Sequence, residues 1–239
     1  MKLRQDVYNT YWQTAAERQN IFFRKLRGDQ YPLTEDPIYQ TYKFCNVYRA
    51  SDRVSQYLIK DVIYSSTFSS ENILFRTILF RLLNKIKTWQ ALEGRIGEVS
   101  LETFNIDYYD EALSSLKDSL GVIYGNAFIL CANKAFGFPR KHQNHLALLN
   151  LIFKSTNTPK VLLESKTLEQ LFTNLKELPL IGNFMAYQLA IDLNYSELFN
   201  FNENDFTIAG PGALRGIEKC FIDTDRKGNA YIIQYIVDN

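Results

Sequence analysis

Metal-binding chemistry is scarce in this chain, which has three cysteines and two histidines among its 239 residues. Cys45, Cys131 and Cys220 lie far apart between apolar or aromatic neighbours. That setting predicts buried thiols in a reducing compartment and argues against a zinc knuckle or a four-cysteine iron-sulfur cluster. His142 and His145 are too few for a histidine-rich metal site. No metal or cofactor is expected. No stretch approaches about 18 uninterrupted apolar residues, and no apolar run follows the charged start at Lys2 and Arg4, so neither a membrane span nor a leader is expected and the reading is cytoplasmic. Charge of one sign is also missing: 27 Lys and Arg face 26 Asp and Glu, for a net charge of +1. A whole-protein basic field is thereby excluded, and any contact with nucleic acid must come from a local patch. A Walker phosphate-binding sequence is absent, which argues against a kinase, and neither repeats nor low-complexity tracts occur.

What is present is apolar periodicity. Hydrophobic residues make up 46% of the chain, enough to bury a substantial core in a single, two-lobed domain over residues 1–239. Residues 5–27 predict a helix in which Tyr8, Tyr11, Trp12, Phe22 and Phe23 alternate with Arg18, Arg24, Lys25 and Arg27. Residues 38–64 predict a second, long one, and 71–87 a third that is apolar nearly all round and so should run through the core. Residues 88–109 read as loop with a short helix. Further helices are expected at 110–119, 121–135, 142–154, 167–176, 183–194, 211–221 and 229–239, broken by glycine and proline. The class expected is all-α. Gly121 and Gly125 are expected to permit close helix packing rather than to form a nucleotide loop, and His142 and His145 to sit in a solvated helix start.

The strongest local signal is Leu178-Pro179-Leu180-Ile181-Gly182 between two apolar helical patterns. Such a turn exposes backbone N–H groups, Asn183 included, at the positive end of the second helix, where they can bind a phosphate without a lysine. An ordinary helical hairpin is the alternative. The turn resembles that of the helix-hairpin-helix superfamily of DNA glycosylases, with Leu178, Pro179, Ile181, Gly182 and Ala186 matching and Leu180 in place of the first glycine. The resemblance implies a two-lobed helical fold and assigns Leu180, Gly182 and Asn183 to DNA binding. It also implies that Asp205 stabilises a sugar cation as a base departs, a role suited to a carboxylate because N-glycosidic cleavage builds positive charge on the sugar. The alternative for Asp205 is a helix cap. Phe184 stands where bifunctional members carry a lysine, so no lysine-dependent strand cleavage is expected. Downstream, Ala209-Gly210-Pro211-Gly212-Ala213 leads into a helix with Arg215, a tight turn able to approach a phosphate closely.

A second feature lies between Tyr42 and Leu58. Drawn on a helix, Asn46, Arg49, Arg53, Gln56 and Lys60 form one polar stripe, with Asp52 placed to pair with Arg49 or Gln56. The stripe is either a solvated face or a set of amides and guanidiniums for base-edge and phosphate recognition. Asn46-Val47-Tyr48-Arg49 and Asp52-Arg53-Val54-Ser55-Gln56-Tyr57-Leu58, followed by Phe75-Arg76, the Phe80 to Asn84 core segment and Trp89, resemble the alpha-glutamyl/putrescinyl thymine pyrophosphorylases. These are DNA base hypermodification proteins found near or fused to hydroxymethyluracil DNA kinases. That resemblance implies work on modified pyrimidines.

Three readings follow. In the favoured one, a monofunctional glycosylase flips and excises a hypermodified pyrimidine, with Asp205, Asn46 and Asp52 catalytic and Arg49, Arg53 and Gln56 around the base. In the second, a transferase displaces pyrophosphate from a pyrophosphorylated hydroxymethyluracil, with Gly210, Gly212 and Arg215 cradling the leaving group. In the third, the chain is a noncatalytic DNA-binding module. The partner expected throughout is DNA containing modified pyrimidines, engaged by a monomer.

Overall fold

The computed structural model describes residues 1–126 and 134–239, and these divide into two compact units: Met1–Gln56 with Thr207–Asn239, and Tyr57–Phe206. Cys131 and residues 127–133 of the helix expected over 121–135 fall outside the described residues, and the described residues 121–126 are not helical.

The first unit opens with β1 (Lys2–Leu3) and α1 (Gln5–Arg27), which ends where Gly28 turns left-handed at φ 81° and returns its N–H to Arg24 and Lys25. Two short helices follow, α2 (Pro37–Thr41), capped by the Asp36 carboxylate, and α3 (Arg53–Tyr57). A single 3-10 turn, Arg49–Ser51, lies between them. The long helix expected over 38–64 is therefore broken, and the reason is local. Asn46 donates its backbone N–H to Asp52 Oδ1 (2.9 Å) and its amide to the Ser51 carbonyl (2.7 Å), while the Gln56 amide donates to the Ala50 carbonyl (2.6 Å). Side chains that bond nearby backbone in this way compete with the helical ladder.

The second unit is built on α4 (Ser70–Leu83), whose residues from Asn72 to Leu83 are all buried. The core helix is thus where it was expected, though Asn84 ends it in a left-handed cap at φ 49°. After it come α5 (Ile86–Ile96), α6 (Ile106–Leu120), α7 (Lys141–Asn150), α8 (Thr158–Leu163), α9 (Leu168–Lys176) and α10 (Asn183–Asn194). A π-helical turn at Leu58–Ile63 leads into the unit and another, Leu151–Ser155, extends α7. α5 is the short helix expected within the loop reading of 88–109, begun two residues earlier at Ile86, with Trp89, Leu92 and Ile96 supplying one buried face. Against α4 pack α5, α7, α8, α10 and the first π-turn.

The chain then re-enters the first unit with α11 (Pro211–Cys220), β2 (Phe221–Asp223) and α12 (Asn229–Asp238). β1 and β2 pair antiparallel, a two-stranded addition to an otherwise helical fold. Arg4 secures the junction by donating to the carbonyls of Glu218 (2.7 Å) and Lys219 (3.0 Å). Tyr8, Ile217, Cys220, Phe221 and Ile232 form the core there. Cys220 is buried as expected, whereas Cys45 is exposed.

Two glycine expectations separate. Gly121 is a helix terminus at φ 70° with open space around it. Gly125 is a close approach: its N–H donates to the Leu83 carbonyl (2.9 Å), and an added Cβ would lie 2.1 Å from the Asn84 carbonyl oxygen. Since the obstacle is backbone, Gly125→Ala is expected to cost about 2 kcal/mol or more, read as a lowered urea midpoint in the purified protein.

The histidines are not solvated. His142 and His145 are both buried on α7, His145 facing the Tyr124 hydroxyl at 3.2 Å. Burial, aided by Lys141 and His142, pushes His145 down to about 3, and burial also lowers His142. A depressed histidine leaves the unfolded chain as the better proton binder. Stability is then complete above about pH 6.5 and falls as pH drops from there toward 3. Between pH 7 and pH 5 the loss from His145 alone should be about 2 kcal/mol, checked by urea titration at the two pH values with His145→Asn flattening the difference.

Candidate functional site

α1 places Ile21, Phe22, Lys25 and Leu26 on one side because residues four apart share a helix face. Opposite them runs the segment Tyr31 to Thr34, pinned from α1. Arg24 donates to the Leu33 carbonyl (2.7 Å) and to Glu17 (2.9 Å), and the Thr34 hydroxyl donates to Glu17 Oε1 (2.6 Å). That hydroxyl, before Arg24, holds the Glu17 carboxyl below the usual carboxylate range. Gln40 closes the corner by donating its amide to the Thr34 carbonyl (2.8 Å). From the same helix, Arg18 donates to the carbonyls of Cys45 (2.9 Å through Nε) and Asn46 (3.1 Å). The non-helical stretch after α2 is thereby tied to α1 instead of hanging in solvent.

Between these walls lies a cavity of about 900 Å³. Phe22, Tyr31, Tyr39 and Phe44 supply aromatic surface, and Asn46, Ser51, Asp52 and Arg53 supply a polar side, with Lys25 and Arg53 as its cations. Tyr39 and Phe44 meet edge to face at 5.3 Å. Asp52 has one carboxylate oxygen committed to the Asn46 N–H, so its second oxygen is the acceptor available to a guest. Such a space, mostly apolar with a few convergent polar groups, has the character of a small-molecule or nucleotide site.

The structure thus gathers Asn46, Asp52 and Arg53 at one cavity by folding a loop, where the sequence placed them on a helix. Arg49 opens the 3-10 turn and Gln56 braces Ala50; neither lines the cavity. Gly210 is the N-cap of α11, Gly212 lies in its first turn, and Arg215 is exposed one turn further on. In the second unit, residues 177–182 join α9 to α10. Leu180 adopts φ +67° at the position where the glycosylase turn has glycine, and Gly182 and Asn183 are exposed at the start of α10. Asp205 is neither a helix cap nor a buried acid: it is exposed in a turn, accepting from the Asn202 amide at 2.9 Å. The cavity residues that the sequence did not flag, Phe22, Lys25, Leu26, Leu33, Thr34 and Gln40, come from α1 and the segment after it. For Phe22, Lys25 and Leu26 the only signal was the aromatic and basic alternation within 5–27, and Leu33, Thr34 and Gln40 had none.

Two other arrangements lack catalytic geometry. His142 Nε2 meets both Asp110 (2.8 Å) and Ser114 (3.1 Å), so the carboxylate and the hydroxyl share one ring nitrogen, unlike a triad, in which they use different ones. Arg76 borders a space of about 320 Å³ with Ser65, Phe68 and Glu93, but its donors already serve the carbonyls of Val62 (2.7 Å) and Val99 (2.6 Å). Among the described residues no group of three or more His, Cys, Asp and Glu could hold a metal ion, and no helix is long and apolar enough to cross a membrane.

A mainly helical chain with an aromatic-walled cavity and an amide, a carboxylate and a guanidinium on one side is what the geometry defines. Residues 5–239 match the family described as "5-hmdU DNA kinase, helical domain", and the chain belongs to that family. The 5-hmdU DNA kinase of Bacillus phage SP10 is 27% identical over an alignment covering 97% of this chain and 39% of that protein. The chain therefore spans well under half the length of this relative. No solved structure matches it.

These findings overturn the expectation of a base-excising glycosylase. The relative is named for a kinase acting on 5-hmdU DNA, not for an enzyme that removes a base. The role given to Asp205 in base departure falls with that reading, as does the question of lyase chemistry at Phe184. The Walker sequence looked for in this chain would belong to a kinase, and the relative bearing that name is matched over only 39% of its length.

Proposed function

We propose that this chain is the base-handling domain of an enzyme carrying out group transfer at the 5-hydroxymethyl arm of a uracil-type base in DNA, with the glycosidic bond left intact. The observation that carries the reading is the cavity beside α1, with aromatic walls for a pyrimidine face and Asn46, Asp52 and Arg53 for its edge. A uracil ring presents an N3–H donor between two carbonyl acceptors. The second oxygen of Asp52 accepts the N3–H, and the Arg53 guanidinium donates to a neighbouring carbonyl. A cytosine ring, with an acceptor at N3, is refused by the same carboxylate. Membership of a family named for 5-hmdU DNA supports the substrate class.

Reaching such a pocket requires the nucleotide to leave the base stack. Phosphate contacts then fix the strand, and within the unit that carries the cavity the Gly210 to Gly212 turn with Arg215 is the candidate for that work.

The deciding assay uses DNA carrying hydroxymethyluracil or its phosphorylated and pyrophosphorylated forms, supplied with a nucleoside triphosphate or an amine. The DNA is digested to nucleosides and analysed by mass spectrometry. A nucleoside of altered mass at the 5-arm, without abasic sites, is the expected result. Abasic sites, or equal affinity for thymine and hydroxymethyluracil DNA without conversion, would count against the reading. Phe22→Ala is expected to lower turnover about tenfold or more by removing one stacking face, with the thermal midpoint checked alongside.

A further inference from the structure

Beyond the cavity, the first unit carries aromatic side chains that fill nothing. Tyr31, Tyr42 and Tyr48 are 76%, 69% and 65% exposed, and Ile38 is 60% exposed. All four fall within the stretch that follows α1 and passes through α2 to the 3-10 turn. Tyr31 also lines the cavity, so at least one of these rings continues its aromatic wall outward. Isolated exposed apolar residues are ordinary, but several large rings on one short stretch mark a surface that meets a partner.

The charges on the same stretch say which partner. Lys43 is exposed on it, and Lys25 on α1 and Arg53 at the start of α3, which flank it, are exposed at the cavity itself. Of the acidic groups beside them, Glu17 and Asp29 are paired with Arg24 and Arg27, Asp36 caps α2 and Asp52 keeps one oxygen on the Asn46 N–H, while Glu35 is exposed. Open cations interleaved with open aromatic rings complement a polymer that alternates phosphates with flat π-faces. A protein partner would offer no such alternation. In a duplex each base is already stacked on its neighbours and paired across the helix, so its faces are closed to a tyrosine. A single strand leaves them open, and stacking on exposed rings tolerates any sequence.

We infer that Tyr31, Tyr42 and Tyr48, with Lys25, Lys43 and Arg53, form a stacking platform for the unpaired strand that flanks the base, so that this unit engages single-stranded DNA in preference to duplex. The inference rests on DNA being the substrate but not on the chemistry at the 5-arm. An oligonucleotide of plain thymidines therefore tests the platform independently of the group-transfer reading, which the mass-spectrometric assay tests alone.

The experiment is fluorescence anisotropy of the full chain with a labelled 12-nucleotide oligo(dT) and with the same strand annealed to oligo(dA), at low and moderate salt. Single-strand binding should be about tenfold tighter or more, and should weaken steeply as salt rises. Each of Tyr31→Ala, Tyr42→Ala and Tyr48→Ala should cost about 5- to 100-fold on the single strand, with duplex binding little changed. Tyr→Phe at the same positions should retain binding, because the ring face and not the hydroxyl is used. These exposed substitutions leave the core untouched, and circular dichroism verifies that. Equal or tighter binding to duplex overturns the inference. So does undiminished single-strand affinity in the three alanine variants, which would assign the exposed rings to a protein surface instead.

Discussion

Asp192→Ala should destabilise the second unit by about 3–5 kcal/mol, the largest stability effect expected of any single substitution here. Arg81 and Asp192 are 1% and 0% exposed, and they meet through two contacts, Nε to Oδ2 and Nη2 to Oδ1, the latter at 2.8 Å. The third arm of the guanidinium donates to Asn84 Oδ1 at 2.9 Å. That residue holds the left-handed cap of α4, and Gly125 is packed against its carbonyl. Removing the carboxylate leaves a desolvated guanidinium without its counter-charge, and breaking a buried pair is far costlier than the pair is favourable. The double substitution Arg81→Met with Asp192→Leu should therefore recover most of the loss, because two apolar side chains of comparable size carry no desolvation penalty. Urea denaturation of the two variants beside the unaltered protein decides it. A double variant as unstable as Asp192→Ala would mean that the polar network, not charge burial, holds α4 to α10.

How much of this was readable beforehand depends on where the hydrogen bonds go. α10 occupies the expected residues, Asn183–Asn194, and α11 and α12 lie within a residue of theirs. In each the backbone bonds itself, leaving apolar spacing to set the outcome. The stretch from Tyr42 to Leu58 has helical spacing too, yet Asn46, Asp52 and Gln56 spend their side chains on nearby backbone and bend it into a loop. Asn46, Asp52 and Arg53 still end up at one site, by another route. The other half of that site was not legible: Phe22, Lys25 and Leu26 read as an ordinary amphipathic face until the Tyr31 to Thr34 segment folds back over them. The β1 to β2 pairing is invisible for a related reason, since a two-residue strand has no periodicity to show. Leu180 shows the converse. It stands where the glycosylase turn has glycine, and it takes the left-handed conformation itself, at φ +67°, which costs a leucine about 1–2 kcal/mol.

Asp52→Asn should reverse the base preference of the cavity rather than merely weaken it. In the native protein Oδ1 accepts the Asn46 N–H, and an asparagine must keep its single carbonyl oxygen there or lose the loop closure. Its amide nitrogen then faces the guest where a carboxylate oxygen stood, presenting a donor instead of an acceptor. A uracil-type ring brings its own donor at N3 and is repelled, whereas a cytosine-type ring brings an acceptor and is matched. A contact of this kind discriminates by about 1–3 kcal/mol, or roughly 5- to 150-fold. Conversion of hydroxymethyluracil DNA should fall by at least that factor, while affinity for hydroxymethylcytosine DNA rises above that of the native protein. Asp52→Ala separates this from simple damage: it removes acceptor and loop closure together and should weaken both substrates without reversing their order. Competition binding with the two modified bases in one sequence context reads the order directly. If Asp52→Asn binds both in the native ratio, Asp52 braces the loop through Asn46 and does not touch the base.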